Sequence, residues 1–90
     1  MMIDNAELNI LRLLASQKEV NWTWYNLDRA MTRRNMEGVG NVARLVHHLY
    51  EAGFVDIIPA NPAGMDYYSI SESGIKYLAA LRHQNAAPNN

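Results

Sequence analysis

Leu8, Leu11, Leu14 and Ala15 recur at helical spacing, which predicts a first helix running to about Ser16. Its start is marked twice. Asp4 and Glu7 stand at capping-box spacing, and Ile3 and Leu8 stand where a hydrophobic staple places them. The polar stretch 17–21 reads as a connection. Thr23 then caps a second helix, with Trp22 and Leu27 at the staple positions and Trp24, Leu27, Ala30 and Met31 as its expected buried stripe. Arg33 and Arg34 fall in its last turn, where positive charge suits the negative end of the helix dipole. Residues 35–40 carry two glycines around Val39 and read as a turn.

A third helix is expected over 41–52, with Val42, Leu45, Val46 and Leu49 on one face. Gly53 suits a left-handed C-terminus, with Phe54 folding back over the last turn. At 100° per residue the opposite face carries Arg44, His47 and Glu51, flanked by Ala43 and His48. That face has no core to serve. An inward Arg44 with an outward Leu45 is the arrangement this reading forbids.

Stretches 54–58 and 65–70 are β-prone and separated by the loop 60–64, so they read as a hairpin. Tyr67 and Tyr68 alternate across the second strand, one toward the core and one outward. Ser71 caps a fourth helix, with Ile70 and Ile75 as staple and Ile75, Leu78, Ala79 and Leu81 as its inner stripe. Residues 1–83 then form one domain, and 84–90 form a polar tail expected to be disordered.

Ninety residues, 49% apolar and 19% charged, suit one small soluble domain. The absence of cysteine removes disulfides and thiol chemistry. No apolar run approaches the ~18 residues of a membrane span. The opening Met1-Met2-Ile3-Asp4 lacks the basic and apolar regions of a secretory signal, so a cytoplasmic location is expected. The net charge is −1, yet 29–48 holds four arginines against the single Glu37. The rest of the chain carries four positive and eight negative residues, so positive charge is concentrated around the second and third helices.

The order of these elements is that of an α+β, mainly helical winged helix-turn-helix, with a three-helix core, a hairpin wing and a C-terminal helix. The stretch Leu49-Tyr50-Glu51-Ala52-Gly53-Phe54-Val55 resembles the end of the recognition helix and the start of the wing in MarR-like and PadR-like transcriptional regulators. Tyr68-Ser69-Ile70-Ser71-Glu72-Ser73-Gly74 resembles their return strand and helix start, and the likeness covers roughly residues 6–82. The resemblance implies sequence-specific binding of double-stranded DNA by a small regulator, with helix 41–52 in the major groove. Carried onto this chain, Asn41 and Arg44 face base edges, and His47 and His48 reach base or phosphate farther along. Arg29, Arg33 and Arg34 hold phosphates and set the docking angle. A MarR-like wing presents an arginine to the minor groove, whereas 60–64 has neither Arg nor Lys, and Asp56 and Asp66 stand near it. Asn61 is the neutral contact that remains.

Other chemistries leave weaker traces. No glycine-rich phosphate loop or nucleophile elbow is present, so neither an enzyme nor a cofactor is expected. His47 and His48 point about 100° apart on a helix, and His47 with Glu51 supplies only two ligands, so no metal site is expected. Trp22, Trp24 and Tyr25 suit either a stacking platform for bases or, more often for such clusters, a core seal. A single small domain reads few base pairs, which implies a homodimer paired through the fourth helix, the first helix or the tail, with Tyr77 and Leu81 as candidates. The chief rival is a winged helix serving as a protein-interaction module. An effector-sensing regulator would need a cavity at a dimer interface.

Overall fold

The computed structural model describes residues 3–17, 19–59 and 64–86. The fold is α+β and mainly helical: α1 (Asn5–Ser16), α2 (Trp24–Arg33), α3 (Val42–Glu51), β1 (Val55–Ile58), β2 (Tyr67–Ile70) and α4 (Glu72–Ala86). This order is compatible with a winged-helix layout. Asn61 and the rest of 60–63 lie outside the described residues, as does the tail beyond Ala86. The α4 backbone continues to Ala86, so the first residues of the expected disordered tail are helical.

Both early helices start as their sequences require. The Glu7 amide donates to Asp4 Oδ1 (2.9 Å), and the Asp4 amide donates to Glu7 Oε1 (3.1 Å). Thr23 and Asn26 repeat the reciprocal arrangement at α2, with Asn26 as its second partner. Both pairs satisfy amide donors that a helix start leaves open.

Two helix ends also share one device. Asn35 (φ 55°) and Gly53 (φ 87°) adopt left-handed backbone just past α2 and α3. After α3, the Gly53 amide donates to Tyr50 and the Phe54 amide to Leu49. After α2, the Asn35 amide donates to Thr32 and the Met36 amide to Met31. These are paired Schellman caps, which tuck the next apolar residue back against the helix.

α1 packs against α2, α3, β2 and α4 and is the hub of the core. It buries Ile10, Leu11, Leu13 and Leu14, more of its circumference than the Leu8–Leu11–Leu14 stripe predicts; Leu8 and Ala15 are half-buried. Leu27, Ala30 and Met31 from α2 and Val42, Leu45, Val46 and Leu49 from α3 complete the centre, with Arg44 exposed as expected. Trp24 departs from its expected place in the buried stripe and is 45% exposed, while Trp22 takes the inward position at 6%.

The strands are antiparallel, with Val55 opposite Ile70 and Ile58 opposite Tyr67. Trp22 adds a bridge on the other side of β2, where the Tyr68 amide donates to the Trp22 carbonyl (2.7 Å). Tyr68 is half-buried and Tyr67 exposed, the alternation expected of a strand. On α4 the inward face is Gly74, Tyr77, Leu78 and Leu81. Ile75 and Ala79 are exposed, a correction to the expected stripe. The rotation is set by Gly74, whose missing side chain brings the helix against the Phe54 carbonyl, and by Tyr77, which stacks on Phe54 at 4.9 Å.

A β-carbon at Gly74 would crowd the Phe54 carbonyl oxygen and stand 2.7 Å from Ile70 Cγ1. In an unobstructed helix, Gly→Ala stabilises by about 1 kcal/mol. Gly74→Ala is instead expected to destabilise by about 1–3 kcal/mol through overpacking. Urea unfolding reads the sign directly.

Candidate nucleic-acid interface

α3 is amphipathic because its apolar residues fall three and four apart, and their burial fixes where every other side chain points. Asn41 is its exposed N-cap residue and makes no side-chain capping hydrogen bond. Arg44 and His47 lie on the outer surface. The His47 ring approaches Glu51 Oε2 at 3.4 Å, with both side chains more than 60% exposed, a contact worth little in water. Tyr50, 47% exposed, extends the same side and lies beside the His47 ring.

His48 is in a different situation from its neighbour. Its Nδ1 meets Glu7 Oε2 in a hydrogen bond between α3 and the start of α1. Glu7 is 3% exposed, and its other oxygen receives the Asp4 amide. A carboxylate removed from water needs such partners. His48 therefore has a structural task that its position on the α3 wheel does not disclose. The hydrogen bond to Glu7 raises the His48 pKa above the ordinary 6.5, and the charge on Glu7 acts with it. Desolvation opposes that rise, and Glu51 and Asp4 add smaller upward pulls.

The arginines of α2 and its C-cap are brought together. Arg29, Arg33 and Arg34 line one hollow of about 240 Å³ with Gln17, Val20, Trp22, Asn26 and Ala30. Arg29 also donates to the Tyr25 hydroxyl (3.1 Å) with its guanidinium 5.6 Å from that ring's centre. Arg34 donates to the Ala30 carbonyl (3.2 Å), which closes the α2 C-terminus. A second hollow of about 330 Å³ lies at the corner of α2 and α3, lined by Trp24, Asp28, Gly40, Val42 and Ala43. The two hollows share no lining residue. Asp28 accepts the Gly40 amide at 2.9 Å and holds the turn at that corner.

Two features escaped the sequence reading. The partnership of Glu7 with His48 spans 41 positions and has no local signature. Trp24 and Tyr25 carry the usual mark of a core seal, yet stand 45% and 47% exposed. The competing inward aromatic, Trp22, was the only available signal.

Among the described residues, no group of three or more His, Cys, Asp or Glu is placed to hold a metal ion, and no helix is long and apolar enough to cross a membrane. No family model, curated protein or solved structure matches this chain.

The His48–Glu7 contact carries a pH signature. A histidine whose pKa is raised on folding contributes stability that is fully present below its unfolded value near 6.5 and is lost as pH rises through the folded value. Urea unfolding of the wild type should therefore show a loss of stability as pH rises above the ordinary histidine value, a loss that His48→Gln lacks. Equal pH slopes in the two proteins would contradict the coupling.

Proposed function

We propose that this chain is a winged-helix protein that binds double-stranded DNA sequence-specifically, as a small cytoplasmic transcriptional regulator of the MarR-like or PadR-like kind. α3 enters the major groove. The observation that carries the reading is the outer surface of α3: Asn41, Arg44 and His47 stand exposed in a row while the opposite side is buried against α1 and α2. A rigid helix with a cationic, hydrogen-bonding outer face is what base-edge readout requires.

Arg44 reads a base, because it sits one turn into α3 at the centre of the exposed face. Asn41 precedes it and His47 follows. His48 lies on the flank, within reach of base or phosphate, and remains bound to Glu7. Arg29, Arg33 and Arg34 supply phosphate contacts along α2. Asn61 is the neutral residue available at the wing.

The protein binds as a homodimer. Tyr77 is committed to Phe54. Leu81 and Leu78 border a hollow of about 350 Å³ with Arg12, Ala15, Ser16 and Arg82, and this α1–α4 side is the proposed pairing surface. The interaction-module reading draws on another feature. Ile58, Tyr67 and Ile75 are exposed around a hollow of about 390 Å³ where the hairpin meets the 20–22 segment and the start of α4, an apolar surface that a protein partner would cover.

Arg44→Ala is expected to cost about 1–3 kcal/mol on a selected site and to relax discrimination at one base position. Arg33→Ala should weaken selected and random duplexes alike and reduce the slope of log K against log salt by about one unit. Titrations with two duplexes over a salt series separate these signatures, and sedimentation reads the dimer. Unchanged DNA affinity in both variants would favour the interaction module.

A further inference from the structure

Resting on the DNA-binding reading, we infer that Trp24 and Tyr25 form a second nucleic-acid contact, a flat aromatic step that packs on the deoxyribose–phosphate strand bordering the groove α3 enters. Trp24 and Tyr25 are the first two residues of α2, and both are nearly half exposed. Their rings meet edge to face, with centres 5.9 Å apart and planes at 87°, so the pair presents a fixed corner rather than two loose side chains.

The place of this corner argues for the same ligand as α3. Trp24 shares the α2–α3 hollow with Ala43, and Ala43 precedes Arg44 on the exposed side of α3. The aromatic step is thus continuous with the proposed reading surface. Its chemistry suits a sugar–phosphate strand. The indole face offers apolar area for deoxyribose. The indole N–H has no hydrogen-bond partner among the described residues and is a donor for a phosphate oxygen. Arg29, bonded to the Tyr25 hydroxyl and lying over its ring, holds the tyrosine in place and adds positive charge beside it. Asp28, also on the hollow, accepts the Gly40 amide and keeps the turn that seats α3 beside Trp24. Backbone contacts position a protein without reading sequence, so this surface supplies affinity and angle rather than specificity.

The two tryptophans allow a direct test, since Trp22 is buried and Trp24 is the one acrylamide reaches. The full chain is titrated with a mixed-sequence duplex and a selected duplex, both at low salt. Adding either duplex should reduce acrylamide quenching of the wild-type emission, and Trp24→Phe should lose most of that change. Trp24→Ala should weaken both duplexes equally, by about five- to tenfold, the low end of what an aromatic ring stacked on a base is worth, since here the ring packs on sugar. Tyr25→Phe keeps the ring and should stay within about twofold, as expected for one exposed hydroxyl hydrogen bond. The side chains are exposed, so urea unfolding should show each variant folded as the wild type.

If Arg44→Ala weakens binding while Trp24→Ala binds normally and quenching is unchanged by DNA, the aromatic contact is wrong and the DNA reading stands. If the wild type binds neither duplex, both readings fall. Protection of Trp24 that grows with protein concentration alone would overturn the inference in favour of a self-association surface.

Discussion

The carbonyl of Phe54 is the joint on which the two halves of this small fold meet. It accepts the Ser71 amide at 3.0 Å, and Gly74 presses its bare α-carbon against it. Ser71 reinforces the joint twice more, its hydroxyl donating to the Gly53 carbonyl (2.6 Å) and accepting the Gly74 amide (3.1 Å). The end of α3 and the start of α4 are thereby fixed to one another, with the hairpin held between them. Phe54 stacked on Tyr77 excludes water from the same corner. A buried peptide oxygen without such donors would be costly, and a side chain at position 74 would pry the joint apart.

Much of this was legible because it is local. Capping boxes, staples and three-and-four spacing act within one or two turns, so Asp4, Thr23 and the stripe Val42–Leu45–Val46–Leu49 could be read directly. The stretches 49–55 and 68–74 are the ones that touch at the Phe54 joint. Long-range choices were not legible. Periodicity offered both Trp22 and Trp24 for the interior, and only the bridge between Trp22 and Tyr68 decides which one turns inward. The rotation of α4 likewise follows from a glycine packing on a distant carbonyl, so Ile75 and Ala79 face out despite apolar character. For the candidate interface, the exposure of Asn41, Arg44 and His47 follows from the α3 stripe. The engagement of His48 does not, because its partner lies on another helix.

α3 is held by unlike forces on its two flanks. Toward α1 it is anchored by an ionisable pair, half of it removed from water. Toward α2 it is anchored by the Asp28-to-Gly40 hydrogen bond and by Gly38, whose position a β-carbon would contest with Met31 Cε at 2.9 Å. The centre is apolar throughout. Such a helix has little freedom to roll, since any rotation that exposes Leu45 or Leu49 also breaks a polar contact on one side.

The bridge at Trp22 also bears on how the chain behaves in a crowded solution. A two-stranded hairpin offers two open edges, each a template for strands from other molecules. Here β2 has part of its outer edge occupied by the chain's own Trp22. β1 ends at Pro59, which has no amide to offer, and Asp56 places a carboxylate along it. The backbone edge of β1, flanked by the half-buried Ile57 and the exposed Ile58, would otherwise be adhesive. The hairpin can therefore stand out from the helices without recruiting its neighbours into a growing sheet.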